Sequence, residues 1–276
     1  MNMKKIIIML CVIINIVLMF ASCGAGDVSS NPTSVQEQEP TVAPSAAPSA
    51  DPIRTGWYTE NYKKYYYLDD GTLAIGKHVI DGRTYYFGPD GAEIVLANPW
   101  NYIPDDYDLQ LVKLPNGLPI HVVCYNDLMD MVTACNAAGH EYIIDSAYRS
   151  FNLQMTMFTN GVRSQMRGGT SRDQAERSMG AATAIPGTSE HQLGLAIDIV
   201  DKDYGAHNDA QANTDTQKWL MANSWKYGFI LRYQKSKTSI TGIIFEPWHY
   251  RYVGKQAAKE IYESGMCLEE YLESLN

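Results

Sequence analysis

Ser189–Val200 reads SEHQLGLAIDIV, and its second half alternates: Leu195, Ile197 and Ile199 are large aliphatics, whereas Ala196 and Asp198 are not. A period of two is the signature of a β-strand, whose successive side chains point to opposite faces. Asp198 therefore faces away from the aliphatic row, and an isolated carboxylate in so apolar a stretch is costly unless a cation or another partner neutralises it. His191 lies seven positions earlier, and Gly194 between them lets the backbone bend so that the imidazole can return toward the carboxylate.

A second cluster supplies more of the same chemistry. In Phe245–Tyr252, FEPWHYRY, Glu246 and His249 stand three apart around Pro247 and Trp248. Proline disfavours a helix interior, so this is not the helical His-Glu-x-x-His arrangement of zinc proteases, although the ingredients agree. Zinc accepts imidazole nitrogen and carboxylate oxygen in a tetrahedral shell, and a catalytic site keeps one position open for water. His191, Asp198 and His249 are thus candidate ligands for one Zn2+ ion, with Glu246 left over as a base; the same donors also suit several other transition ions.

Around these clusters the region 98–276 shows mixed signals that predict an α+β fold, a small antiparallel sheet flanked by helices. IHVVC (120–124) and EYIIDSAY (141–148) read as strands. Between them Leu128, Met131, Val132 and Cys135 share one face of a helix that ends at Gly139. FNLQMTMFTNGVRSQM (151–166) predicts a second helix, Ser171 with Gln174 caps a third running to about Ala182, and Thr214 with Gln217 caps a fourth that stops near Gly228. GFILRY (228–233) and TGIIFEPWHYRYV (241–253) read as strands, and an amphipathic helix from Gly254 closes the chain.

Three motifs in this region resemble the zinc D-alanyl-D-alanine carboxypeptidases of the VanY type. PGTSEHQLGLAID (186–198) fits S-x-H-x-x-G-x-A-x-D, EPWH (246–249) fits E-x-W-H, and SAYRSFNLQ (146–154) resembles the family's Y-R-S-x-x-x-Q element. The resemblance implies that His191, Asp198 and His249 hold zinc, that Glu246 is the general base, and that Arg149 faces the scissile carbonyl. It places Ser189, Gln154 and Trp248 near the substrate; Ser189 and Gln154 could equally be structural, and Trp248 could serve packing. The implied reaction is removal of the terminal D-alanine from peptidoglycan stem pentapeptides ending in D-Ala-D-Ala. Related zinc folds split free D-Ala-D-Ala or cut the L-Ala to D-Glu link, and a non-catalytic wall-binding protein is a further alternative. His78, His121, His140 and His207 have no matching partners and read as surface or loop residues.

The N-terminal part has a different character. MNMKKIIIMLCVIINIVLMFASC (1–23) has two lysines and then an apolar run from Ile6 to Phe20, the layout of a signal peptide. MFASC resembles a bacterial lipobox, which implies a signal peptide over 1–22 and a lipid on Cys23; an uncleaved anchor is the alternative. Residues 29–52 carry five prolines and no aromatic residue, so the linker of residues 23–53 is expected to be a disordered tether reaching on the order of 70 Å. Over 54–97, Tyr65-Tyr66-Tyr67 with Asp70-Gly71 recur twenty residues later as Tyr85-Tyr86-Phe87 with Asp90-Gly91, which reads as β-hairpins with Asp-Gly turns. This module resembles the choline-binding-type repeat of Gram-positive surface proteins. Only Trp57 supplies a tryptophan, so wall-polymer binding and a purely structural spacer are both open.

The formal charge of -9, without clustered Lys and Arg, excludes a non-specific nucleic-acid binder. Cys124, Cys135 and Cys267 have no C-x-x-C spacing, so they read as buried thiols, with a Cys124–Cys135 bridge as the alternative. Together these features predict an extracytoplasmic, lipid-anchored protein at the membrane of a Gram-positive bacterium, facing its wall.

Overall fold

The computed structural model describes residues 53–275; the expected leader, Cys23 and nearly all of the tether lie outside the described residues. Strands β1 (Gly56–Glu60) and β2 (Lys63–Tyr67) form one antiparallel hairpin, and β3 (Gly76–Ile80) and β4 (Arg83–Phe87) form the next. Each closes through two residues with positive φ, Asn61 and Tyr62 at 50° and 62°, and Asp81 and Gly82 at 50° and 78°. Paired positive φ angles match the right-handed twist of the strands. This corrects the sequence reading of the turns, because the Tyr-rich segments are the second strands of their hairpins. Asp70-Gly71 and Asp90-Gly91 lie beyond them, where the Gly71 and Gly91 amides donate to Leu68 and Gly88 at 2.8 Å and return the chain to bridge Tyr67 with Leu73 and Phe87 with Glu93. Ala74, Ile80 and Phe87 are buried between the hairpins, with Trp57, Tyr66 and Tyr85 packed on them.

The chain continues through β5 (Leu111–Lys113), β6 (Pro119–His121), α1 (Val122–Ala137), β7 (Tyr142–Ser146), α2 (Phe151–Arg167), α3 (Arg172–Ala182), β8 (Ala196–Asp201), α4 (Asp215–Asn223), β9 (Phe229–Leu231), α5 (Thr238–Thr241), β10 (His249–Tyr252), α6 (Lys255–Ser264) and α7 (Leu268–Ser274). A four-stranded antiparallel sheet ordered β7-β8-β10-β9 forms the centre, in the expected α+β class. Its Ile197, Ile199, Tyr250 and Tyr252 pack with Leu128, Met131, Val132 and Cys135 of α1 and with Leu220 and Phe229. Cys124, Cys135 and Cys267 are free and buried. No described helix is long and apolar enough to cross a membrane.

Several boundaries differ from the sequence reading, each for a local reason. IHVVC is a strand only to His121, whose Nδ1 accepts the Val123 amide at 3.2 Å and caps α1 one turn early. His121 is therefore a buried cap and not a surface residue. Helix α4 ends at Asn223, and a 3-10 turn carries the chain to Gly228, where φ reaches 82°. Only His249–Tyr252 of TGIIFEPWHYRYV is strand: Pro247 has no N–H to give a ladder, and the His249 amide turns back to the Glu246 carbonyl at 3.1 Å.

The hairpins are packed against the region that follows. Ile94, just beyond β4, is buried among Ile230, Ala257, Ala258, Ile261, Leu268, Tyr271 and Leu272, with Tyr86 against the same cluster. At the rim, Lys77 Nζ and Tyr86 Oη reach the Glu273 carboxylate at 2.7 and 2.9 Å.

Candidate metal centre and active site

The sheet register does what sequence distance hides. His249 on β10 lies directly opposite Asp198 on β8, so two residues 51 positions apart are cross-strand neighbours on one face. His191 arrives from a 3-10 turn, Glu190–Leu193, which Gly194 ends with φ of 67°. A β-carbon there would come within 3.0 Å of the His121 backbone nitrogen, so the turn depends on glycine twice over. His191 Nε2 lies 3.2 Å from Asp198 Oδ2, and His249 Nδ1 lies 3.0 Å from Asp198 Oδ1. The two rings stand edge to face with centroids 4.9 Å apart, and the three donor groups lie within 4.8 Å of one another, all buried.

The hydrogen bonds behind these rings point their lone pairs inward. His191 Nδ1 sits 2.6 Å from the Ala147 carbonyl, which can only accept, so Nδ1 carries the proton. Burial lowers the His191 pKa to about 4, so the ring is neutral and Nε2 presents a lone pair. That nitrogen is buried, meets no hydrogen-bond donor among the described residues, and faces a carboxylate oxygen. Two acceptors at that distance with no proton between them are a place for a cation. Burial opposes charge on His249 too, but the Asp198 and Glu190 carboxylates outweigh it and raise its pKa to about 9. A dication would replace the proton shared by Nδ1 and Asp198. The donor set thus fits one zinc ion, with two nitrogens and one carboxylate and room for further ligands.

The remaining expected residues fall around this triad in different ways. Glu246 Oε2 is 3.9 Å from His249 Nδ1, and burial raises its carboxyl to a pKa of about 8. Arg149 lines the cleft with Nη2 3.9 Å from Asp198 Oδ2, and its buried Nε has no partner among the described residues. Ser189 and Trp248 line the same cleft of about 490 Å³, together with Tyr233, Ala184 and Met157. Gln154 was expected beside substrate, but it is fully buried behind the wall, because its amide nitrogen donates to the Ala184 carbonyl at 2.6 Å.

Sequence reasoning missed other residues here. His207, read as a loop residue, lines the cleft; its Nε2 is 3.1 Å from Asp145 Oδ2, and its ring meets Trp248 edge to face at 5.1 Å. Asp145 is the extra residue of a bulge in β7, between Ile144 paired with Ile199 and Ser146 paired with Asp198, and bulges re-aim side chains in this way. Glu190, Arg232 and Arg251 form a buried ionic cluster directly behind His249. Arg251 carried a signal, since strand alternation sets it on the same face as His249; Arg232 carried none.

Comparisons with known proteins point to one family. The family model described as VanY, D-alanyl-D-alanine carboxypeptidase, matches residues 118–255, and a choline-binding repeat matches 54–98. A D-alanyl-D-alanine carboxypeptidase of Enterococcus faecalis is 40% identical over 204 residues, covering 74% of this chain and 72% of that protein. The structure of a mutant vancomycin resistance D,D-pentapeptidase VanY in complex with Zn(II) matches with a TM-score of 0.59 and 42% identity, over 64% of this chain and 97% of that one. The LdcB LD-carboxypeptidase matches with a TM-score of 0.58 and 35% identity, over 73% of this chain and 95% of that one.

Proposed function

Because the chain belongs to the VanY D-alanyl-D-alanine carboxypeptidase family, we propose that it is an exported zinc carboxypeptidase that removes the terminal D-alanine from peptidoglycan stem pentapeptides. One observation carries this reading: the buried, donorless His191 Nε2 converges with His249 Nδ1 on the two oxygens of Asp198. These three residues would hold the metal, which when bound polarises the scissile carbonyl and supplies a hydroxide-strength nucleophile near neutral pH.

The chain's own groups do the rest. Glu246, in its ionised form, accepts the proton of the attacking water and returns it to the departing amine. Arg149, whose guanidinium lines the cleft beside Asp198, stabilises the negative charge that develops on the carbonyl oxygen. Ser189, which lines the cleft, would meet the terminal carboxylate, and Trp248 forms the wall against which His207 packs. Gln154 acts indirectly, fixing the Ala184 segment of that wall. In this reading residues 54–97 are the repeat module and 98–276 the catalytic domain. The leader, a lipid on Cys23 and the tether would hold the domain at the membrane facing the wall, with the repeats available to wall polymers.

The likeness to an LD-carboxypeptidase supports one competing reading, removal of a D-residue that follows an L-residue in the stem. Incubating the purified protein with muropeptides and weighing the fragments separates these readings. Pentapeptide converted to tetrapeptide with release of one D-alanine is expected. Tetrapeptide trimmed to tripeptide, free dipeptide cleavage or stem cleavage in preference would overturn the proposed bond.

A further inference from the structure

Glu190 follows Ser189 and precedes a metal-binding histidine, yet it points the other way. It is only 1% exposed and lies among Arg232 and Arg251, which are 0% and 1% exposed. Its Oε1 accepts from Arg232 Nε at 2.7 Å and from Arg251 Nη1 at 2.9 Å. Its Oε2 faces His249 Nε2 at 3.4 Å, on the side of the ring away from Asp198. A carboxylate held by two guanidinium groups can only accept, so the proton of that contact belongs to the histidine. An imidazole whose Nε2 carries the proton presents its lone pair at Nδ1, the atom that meets Asp198.

The arginines are anchored in turn. Arg232 forms a two-pronged pair with Glu269 of α7, at 2.9 and 2.7 Å, and Glu269 also accepts from the Asn98 amide at 3.1 Å. Arg251 Nη2 donates to the Val95 carbonyl at 2.7 Å, in the segment that follows the hairpins. The cluster thus ties one metal-facing ring to both ends of the catalytic region. Two buried guanidinium groups are expensive to hold away from water, and a well-packed apolar cluster would be as stable or more so. A positional task for the carboxylate accounts for their presence.

We propose that Glu190 is a positioning residue of the metal centre: clamped between Arg232 and Arg251, it accepts Nε2–H of His249 and so fixes the tautomer and ring orientation that turn Nδ1 toward the cation. This rests on the zinc reading above, and the same experiment tells the two apart. Zinc affinity of the full chain is measured by competition with a chromophoric chelator for the parent, Glu190→Gln, Glu190→Asp and Glu269→Gln. The parent is expected to bind one zinc ion. Glu190→Gln should bind it 10–100-fold more weakly, and Glu190→Asp, which keeps the carboxylate, should recover part of that loss. Glu269→Gln, three contacts removed from the ring, should lower thermal stability with zinc affinity within about threefold of the parent.

A parent that binds no zinc overturns the functional reading and this inference with it. A parent that binds one ion, with Glu190→Gln binding equally well or losing no more than Glu269→Gln, overturns only the positioning role. Should Glu190→Gln fail to fold, 15N correlation spectra of the zinc-loaded parent decide. A protonated Nε2 and a metal-shifted Nδ1 on His249 support the proposal, and the opposite tautomer overturns it.

Discussion

The two hairpins at residues 56–87 and the four-stranded sheet around His249 are both antiparallel β-structure, yet they are assembled over different ranges of the chain. In the hairpins every strand pairs with its immediate neighbour through a two-residue turn, and Trp57 packs on Tyr66 and Tyr85 at 5.0 and 4.8 Å. In the sheet, β8 pairs with β10 across 51 residues, and the meeting of Asp198 with His249 depends on that register. Local pairing makes a scaffold that needs little else, whereas distant pairing brings together chemistry that no short segment could hold. The two meet at Ile94 and Tyr86, which share an apolar cluster with α6 and α7, so the hairpin module is a shoulder of the catalytic region more than a separate bead.

The largest effect expected bears on the distant-contact region alone. Removing metal with a chelator should take carboxypeptidase activity to background, and zinc should restore it, while the far-ultraviolet signal of the hairpins stays unchanged. Retention of activity after exhaustive chelation would sink the role of the site.

Next, Glu246→Gln should lower kcat by roughly 10²–10⁴-fold with one zinc still bound. Burial raises the Glu246 pKa to about 8 even against the pull of His249 and Arg149, and a bound dication lowers it from there. A base works only when ionised, so parent kcat/KM should climb with pH and level off below pH 8, and the variant should lose that rising limb. A variant with the parent's profile would assign the limb to another group.

The seam between the two regions is tested by Ile94→Ala. Deleting a side chain that is 5% exposed should cost about 2–5 kcal/mol in urea unfolding, with kcat changed less than twofold. A loss below 1 kcal/mol would mean that the regions are independent bodies.

Glu269→Gln probes the anchor behind the metal-facing ring and should cost roughly 1–3 kcal/mol. Burial alone would raise the Glu269 pKa, but Arg232 holds it below the usual range. Its contribution is therefore present above the ordinary glutamate pKa of 4.5 and is lost as pH falls through the depressed value. Melting temperature of the chelated parent should drop with acid more steeply than that of the variant; parallel curves would contradict this. Smallest of all, Glu273→Ala removes the rim contacts to Lys77 and Tyr86, which are partly exposed, and should cost less than about 1 kcal/mol.

How much of this was legible depends on how far each feature reaches. The α1 face of Leu128, Met131, Val132 and Cys135 and the Ser171 and Thr214 caps follow from i to i+3 and i+4 relations, and they stand where periodicity put them. The hairpin turns were displaced because Asp-Gly also follows each Tyr-rich strand, at 70–71 and 90–91, while of the true turns only Asp81-Gly82 is Asp-Gly and Asn61-Tyr62 carries no comparable signal. Asp145 and His207 could not be paired from spacing, since a bulge in β7 decides where the aspartate points.

By itself the sequence determined the alternation that turns Asp198 away from the aliphatic row, the glycine that lets His191 fold back, the family to which the motifs belong and the acidic character of the chain. Tertiary structure decided the rest: that His249 lies opposite Asp198, that Gln154 sits behind the cleft wall, and that Glu190 turns from substrate toward two arginines. The reason is physical. Periodicity and local bonds act between residues a few positions apart, whereas strand register and buried ion pairing are settled only when the whole core closes and each charge must find a partner away from water.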